Sequence, residues 1–269
     1  MRLNACFQRL NVEDRKALVP YILAGDPLGK TVDVMHQLVK SGADILELGF
    51  AFSDPVADGP VIAQAHERAV SQGVTLTDVF TMVSTFREVD NTTPIVLMGY
   101  LNPVEIMGYE VFVDRASKAG VDGVLMVDLP PESAGGLLQL LHAREMDMIN
   151  LITPTTADER IKKICSVASG YLYYVSLKGV TGSAALDLDE VQERVTHIKQ
   201  FTEVPVAVGF GIRDGASAAA ISQVADGVIA GSVLVAELAK YSDEGQPCID
   251  RIADRVAEMR SAIDKATDQ

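Results

Sequence analysis

Glu47 is the first residue whose type and position in the chain suggest chemistry. It lies in residues 45–49 (ILELG), which otherwise contain only apolar residues and glycine. Burial penalises an ionised carboxyl group and raises its pKa, so a glutamate in such a strand can exchange protons near neutral pH. Glu47 is therefore a candidate acid–base group. The alternative is a structural carboxylate satisfied by a neighbouring arginine or lysine, and the strand context favours neither.

Two aspartates follow in residues 50–60 (FAFSDPVADGP), a segment rich in turn-forming residues. Asp54 precedes a proline, and Asp58 precedes Gly59 and Pro60. An aspartate in such a position commonly caps a helix or forms a turn. On the local sequence alone we prefer capping for both aspartates, with a substrate contact as the alternative for Asp58.

Three short glycine motifs come late in the chain, each after an apolar run. They are GVTGS at 179–183, GFGI at 209–212 and AGS at 230–232. Glycine lets backbone N–H groups approach an anion, and a helix that starts near Ser232 would direct its dipole at the same anion. Three such motifs on consecutive strands of a barrel indicate a phosphate site, although each motif alone could be an ordinary turn. The spacing from Gly209 through Gly211 to Gly215 does not fit a dinucleotide fingerprint.

The segments that must position these residues alternate in the order of a parallel-stranded barrel. Eight short runs rich in Val, Ile and Leu are predicted strands, separated by segments with helical spacing. They are residues 19–24, 45–49, 95–98, 123–127, 148–152, 172–175, 204–208 and 227–229. We therefore predict an α/β fold, a single (β/α)8 TIM barrel over residues 1–269. Extra helices are expected at the N-terminus, after strand 2 and near strand 8.

A weak internal repeat and one long connection refine this prediction. The sequences SGAD, AGVD and QVAD end at Asp44, Asp122 and Asp226, and each stands directly before a predicted strand. The connection from strand 2 to strand 3 is too long for one helix and two short turns. Because chemistry in such barrels gathers beyond the carboxyl ends of the strands, this enlarged connection is the first place to look for a site.

Composition excludes several classes of function. The formal net charge is -14, from 37 acidic and 23 basic side chains without a dense basic cluster, so we expect no nucleic-acid partner. No apolar run approaches the roughly 20 residues that cross a bilayer. The first ten residues lack the apolar core of a secretory signal, so we expect a cytoplasmic protein without a membrane partner.

Cysteine and histidine usage gives no sign of a metal or of nucleophilic catalysis. The three cysteines are far apart, and no Cys-x-x-Cys pattern occurs. The four histidines, His36, His66, His142 and His197, lack metal-ligand spacing, and we interpret them as surface or packing residues. We therefore expect no metal, and acid–base chemistry remains the best-supported mechanism.

The residues so far resemble those of a known family. The stretch LELGFAFSDPVADGP at 46–60 is similar to the signature of tryptophan synthase alpha subunits, and VPYILAGDP, GVTG, GFGI and AGS also occur in the family's order. The resemblance covers nearly the whole chain. It implies a lyase that splits indole-3-glycerol phosphate into indole and glyceraldehyde 3-phosphate in tryptophan biosynthesis.

The resemblance also assigns roles to single residues. It implies that Glu47 and Asp58 are the catalytic carboxyls, which overrides the capping interpretation of Asp58. Glu47 would move protons at indole C3 and at the glycerol hydroxyl, while Asp58 would stabilise positive charge at the indole nitrogen. The residues implied for the phosphate site are Gly182, Gly211, Gly231 and Ser232, and those implied for the indole pocket or its closure are Tyr21, Leu125, Tyr173 and Thr181. Tyr21 and Tyr173 could equally be core aromatics with satisfied hydroxyls.

The resemblance further implies no cofactor in this subunit and a partner that carries one. The partner is a pyridoxal-phosphate beta subunit, with indole passing directly to it in an α2β2 complex. Two departures bear on loop closure and on signalling to that partner: Ala51 replaces the proline usual in the family, and Leu177–Lys178 differs from the family's arginine-bearing loop. The alternatives are a stand-alone indole-releasing lyase, another phosphate-binding barrel enzyme such as an isomerase, and a catalytically silent barrel that activates a partner.

Overall fold

Parallel strands form the central sheet of the computed structural model, which describes residues 1–27, 29–176, 188–209 and 211–267. Within those residues the strands are β1 (Ala17–Leu23), β2 (Leu46–Gly49), β3 (Ile95–Gly99), β4 (Gly123–Met126), β5 (Asp147–Met148), β6 (Asn150–Ile152), β7 (Leu172–Val175), β8 (Val206–Gly209) and β9 (Gly227–Ala230). Their order in the sheet is β5-β4-β3-β2-β1-β9-β8-β7-β6. Every pairing is parallel, so all the carboxyl ends of the strands lie at one rim.

The barrel closes through the predicted fifth strand, which the structure divides in two. β5 pairs with β4, whereas β6 pairs with β7, and only Ile149 separates β5 from β6. The Ile149 N–H still donates to the Val124 carbonyl at 2.9 Å, so the backbone remains tied to β4 at the break. The predicted barrel is confirmed, and its fifth strand carries a change of partner that the apolar run 148–152 did not indicate.

Helices connect the strands and cover the outside of the barrel. They are α1 (Arg2–Val12), α2 (Thr31–Lys40), α3 (Pro60–Ser71), α4 (Leu76–Arg87), α5 (Leu101–Met107), α6 (Tyr109–Ala119), α7 (Gly135–His142), α8 (Asp158–Val167), α9 (Leu188–Ile198), α10 (Gly215–Ser222), α11 (Ser232–Lys240) and α12 (Gln246–Thr267). The extra helix expected at the N-terminus is α1, and those expected after strand 2 are α3 and α4. Predicted strand 8 is β9, and the extra helices near it are α11 and α12. A further pair, α5–α6, follows β3 and was not predicted. Among the described helices, none has both the length and the apolar composition needed to span a bilayer.

Two apolar layers hold the barrel together, because side chains alternate between the faces of each strand. On β1, Leu18 and Ile22 belong to the layer between the sheet and the helices, whereas Val19 belongs to the barrel interior. The interior layer also takes in residues of α1, such as Leu3 and Leu10. Helix α1 therefore closes the amino-terminal mouth of the barrel and leaves the carboxyl-terminal rim for a site.

The aspartates of the internal repeat bind the strands together at the amino-terminal rim. Asp44, Asp122 and Asp226 each accept a hydrogen bond from a backbone N–H at the start of the adjoining strand, with donors Leu18, Ile95 and Val206 at 3.0, 2.8 and 2.8 Å. Each carboxylate also pairs with a cation, and the three closest cations are Arg260, Arg87 and Lys199. The repeat thus has a structural role at the rim opposite the expected site.

Candidate active site

Glu47 lies inside the barrel and is completely buried. It is the second residue of β2 and stands in register with Tyr21 of β1 and Val96 of β3. Leu46 and Leu48, its neighbours on β2, belong to the outer apolar layer, so alternation places the Glu47 side chain on the inner face. Its exposure is 0%.

The hydrogen bonds of Glu47 are incomplete. The Tyr171 hydroxyl donates to Oε1, and Oε2 is buried without a partner among the described residues. Within that part of the chain no arginine or lysine forms an ion pair with Glu47. Burial raises the pKa of Glu47 to about 7, and the Tyr171 hydrogen bond opposes this rise.

Tyr21 and Tyr173 lie in the barrel interior beside Glu47. Burial raises the pKa of both hydroxyls well above the ordinary value, and Glu47 and Asp58 both add to the rise through their negative charge. Two glycines leave the space that these hydroxyls occupy: a Cβ on Gly49 would lie 2.3 Å from the Tyr21 Oη, and a Cβ on Gly209 would lie 2.2 Å from the Tyr173 Oη. Both tyrosines therefore stay protonated at neutral pH, and of this group Glu47 is the one able to exchange protons.

Asp58 lies in the loop between β2 and α3 and does not cap the helix. Gly59 is the N-cap residue of α3, and no side chain caps this helix. The local preference for capping is therefore wrong for Asp58. Its side chain is 14% exposed, and the Tyr100 hydroxyl donates to Oδ2 at 2.7 Å. Asp54, in contrast, is exposed in the same loop.

Tyr100 and His66 flank Asp58 from two different elements. Tyr100 follows β3 directly and is buried, and its hydroxyl accepts a hydrogen bond from the Ala57 N–H at 3.0 Å. His66 lies on α3 with 2% exposure, and its Nε2 is 3.5 Å from Oδ2 of Asp58. The interpretation of His66 as a surface or packing residue is incomplete, because the side chain packs against a predicted catalytic carboxylate.

The described part of the predicted phosphate site lies at the carboxyl-terminal rim. Gly211 follows β8 and has a φ of 80°, a left-handed conformation that favours glycine. Gly231 follows β9 and is the N-cap residue of α11, which begins at Ser232 and has no side-chain cap. The Leu234 and Val235 N–H groups donate to the Gly231 carbonyl, which leaves the N–H groups of Ser232 and Val233 to bind an anion. Gly182 and Thr181, also predicted site residues, lie outside the described residues.

Gly231, a residue of the predicted phosphate site, lies next to Tyr21. A Cβ on Gly231 would lie 3.5 Å from Cβ of Tyr21, which is the register partner of Glu47. Strand β1 thus lies between the uncapped start of α11 and the strand that carries Glu47. Leu125 of β4 belongs to the same interior apolar cluster as Tyr173 and Tyr171. A small molecule with an aromatic group and an anionic group fits such a surface.

One cavity in the described residues lies away from this site. A cavity of about 460 Å³ opens at the amino-terminal mouth, between α1 and the residues that precede β8 and β9. It lies at the rim opposite the loop that carries Asp58. Within the described ranges, no cluster of histidine, cysteine and acidic residues could hold a metal ion.

Sequence reasoning missed Tyr171, Tyr100 and the contact of His66. Tyr171 is separated from Glu47 by 124 positions, and Tyr100 from Asp58 by 42 positions. A tyrosine directly before a predicted barrel strand, or two residues after one, is the only local signal. That signal could have suggested Tyr171 and Tyr100, but not which carboxylate each would contact.

The chain is similar to known proteins over almost its whole length. The family model described as tryptophan synthase alpha chain matches residues 7–264. The tryptophan synthase alpha chain of Marinobacter nauticus is 54% identical over 264 residues, which are 98% of each chain. The crystal structure of tryptophan synthase subunit alpha from Legionella pneumophila str. Paris has a TM-score of 0.92 and 44% identity, and covers 98% of both chains. A structure of the tryptophan synthase a2b2 complex from the hyperthermophile Pyrococcus furiosus has a TM-score of 0.83 and 34% identity, over 91% of this chain and 98% of that chain.

Proposed function

This chain belongs to the tryptophan synthase alpha chain family, and on that premise we propose that it cleaves indole-3-glycerol phosphate into indole and glyceraldehyde 3-phosphate. One observation carries the mechanism: Glu47 is a fully buried carboxyl group in the barrel interior with a pKa of about 7. At neutral pH it is present in both protonation states, so the same group can give and take a proton.

Glu47 acts first as an acid and then as a base. It protonates C3 of the indole ring, which leaves positive charge on the ring nitrogen. It then receives the proton of the glycerol hydroxyl next to C3 as the carbon–carbon bond breaks. The bonding electrons return to the ring, and the hydroxyl carbon becomes the aldehyde. Each turnover therefore returns Glu47 to its starting protonation state.

Asp58 stabilises the charge that develops on the ring. A carboxylate that accepts the indole N–H becomes a stronger partner when the ring is protonated, because the interaction then joins opposite charges. Tyr100 occupies Oδ2 of Asp58, and Oδ1 has no hydrogen bond from the described residues. That free oxygen is the proposed acceptor for the indole N–H.

Main-chain donors hold the phosphate at the other side of the site. The first turn of α11 after Gly231 and Ser232, together with the backbone at Gly211, supplies these donors. Gly182 is a further donor on the family resemblance, and Thr181 joins Leu125, Tyr21 and Tyr173 around the indole. The reaction needs no metal and no organic cofactor in this subunit, since a carboxyl group performs both proton transfers.

The proposed partner is a tryptophan synthase beta subunit, a pyridoxal-phosphate enzyme, in an α2β2 complex in the cytoplasm. The support is the similarity to the chain in the Pyrococcus furiosus complex. The experiment is to measure indole release from indole-3-glycerol phosphate by the purified chain, alone and with a beta subunit. We expect slow release alone and faster release in the complex. High activity alone without association would instead indicate a stand-alone lyase, and stimulation of the beta subunit without cleavage would indicate a silent activator.

A further inference from the structure

His66 bridges the two ends of the loop that carries Asp58. The Phe52 N–H, near the start of this loop, donates to Nδ1 of His66 at 3.1 Å. A ring nitrogen that accepts a hydrogen bond carries no proton, so the proton of the neutral ring is on Nε2. The backbone of Phe52 thereby fixes which nitrogen of His66 can act as a donor.

Nε2 of His66 lies near the oxygen of Asp58 to which Tyr100 donates. Nε2 of His66 is 3.5 Å from Oδ2, and the Tyr100 hydroxyl is 2.7 Å from the same atom. The His66 and Tyr100 rings meet edge to face with centroids 6.1 Å apart, and both side chains have 2% exposure. One hydrogen bond from Tyr100 and one close polar contact from His66 therefore meet at the same carboxylate oxygen.

We propose that His66 is a positioning residue for Asp58, which fixes the carboxylate so that Oδ1 faces the indole N–H. This inference rests on the proposed function. A second polar contact to the same oxygen restricts rotation of the Asp58 carboxylate about its χ2 bond more than the Tyr100 hydrogen bond alone does. Misplacement of a catalytic group by about 1 Å can cost up to about 100-fold in rate, so this restraint matters for turnover and not only for folding.

Asparagine and glutamine each preserve half of what histidine does at this position. The side-chain carbonyl of asparagine reaches the position of Nδ1 and can still accept from Phe52, but asparagine is too short to reach Asp58. The amide of glutamine reaches the position of Nε2 and can still donate to Asp58. Comparison of His66→Asn with His66→Gln therefore separates the bridge to Phe52 from the contact with Asp58.

The experiment measures kcat and KM for indole release by the wild type, His66→Asn and His66→Gln, with thermal unfolding of each protein as a control. We expect kcat to fall about tenfold in His66→Asn with KM nearly unchanged, because the phosphate contacts are intact. His66→Gln should restore most of the loss. In the Asp58→Asn background, where residual activity is followed over long incubations, His66→Asn should cause no further fall.

Two results would overturn the positioning role. One is a kcat of His66→Asn equal to that of the active wild type. The other is an equal fall with and without Asp58, which would show that His66 acts on folding or on another part of the site. If the wild type itself releases no indole, the proposed function fails and this inference fails with it. Nitrogen-15 NMR of the ring gives an independent readout, and a protonated Nδ1 in the neutral ring would also contradict the inference.

Discussion

Tyr171 donates its hydroxyl hydrogen to one oxygen of Glu47, and the other oxygen has no hydrogen-bond partner among the residues that the structure describes, although both side chains are fully buried. The hydrogen bond stabilises the carboxylate, and the burial destabilises it more strongly. The outcome is a carboxyl group whose pKa is about 7 rather than 4.5. The proposed proton transfers depend on this balance.

Removal of the ionisable group from Glu47 should abolish turnover without abolishing binding. Glu47→Gln keeps the size of the side chain but can neither give nor take the proton. General acid–base catalysis contributes about 10²- to 10⁴-fold, so we expect kcat to fall by at least about 10²-fold. Dissociation constants for a non-cleaved substrate analogue should be nearly unchanged. Turnover close to that of the wild type would contradict the role of Glu47.

Glu47→Gln should also gain stability relative to the wild type as pH rises. The folded protein keeps the proton of Glu47 up to about pH 7, whereas the unfolded chain releases it near pH 4.5. The free energy of unfolding of the wild type therefore falls, relative to Glu47→Gln, as pH rises through this range. We expect the free energy of unfolding of Glu47→Gln minus that of the wild type, measured with urea, to be about 3 kcal/mol larger at pH 8 than at pH 4. A constant difference across this range would mean that the pKa of Glu47 is not raised.

Tyr171→Phe should move the pH dependence of catalysis upward. The substitution removes the donor that favours the ionised form of Glu47, so the pKa of Glu47 should rise further. Because the first step needs the protonated carboxyl, kcat/KM of the wild type should decline above about pH 7. In Tyr171→Phe this decline should begin at a higher pH. A decline at an unchanged or lower pH would show that the hydrogen bond does not control the titration.

Asp58→Asn should reduce turnover because a neutral amide cannot balance the positive charge on the indole ring. We expect kcat to fall by about 10²-fold, within the range for loss of one electrostatic contact in a catalytic site. Asp54→Asn is the matched control, since Asp54 is exposed on the same loop. In the isolated chain it should have the activity of the wild type. Equal effects of the two variants would indicate that loop structure, and not the charge of Asp58, limits the rate.

A carboxylate placed at the start of α11 should compete with the substrate phosphate. Gly231→Asp puts a negative charge at an N-cap position, which favours the helix but repels an anion. We expect KM to rise more than tenfold, while thermal stability stays the same or increases. Gly231→Ala is the control, because its Cβ would meet Tyr21 only at an ordinary contact distance of 3.5 Å. Similar KM values for the two variants would place the phosphate elsewhere.

Some of the site could be anticipated from neighbouring residues alone. Glu47 stands out because a charged residue in an apolar strand must lie in an environment that perturbs it. Gly231 and Ser232 stand out because a glycine between a strand and a helix marks a possible anion site. Asp58 does not stand out in this way, since its local sequence favours capping, and only the family resemblance indicated a catalytic role.

The sequence by itself determined the succession of strands and helices, and with it the barrel, because apolar periodicity and turn residues act over short distances along the chain. It also placed Glu47 on a strand and Gly231 at a strand end. Tertiary structure alone decided that Tyr171 contacts Glu47 and that Tyr100 and His66 contact Asp58. Such contacts depend on which strands become neighbours when the barrel closes and on the height of each side chain within it. The apolar runs gave the barrel, but they did not specify which side chains of distant strands meet inside it.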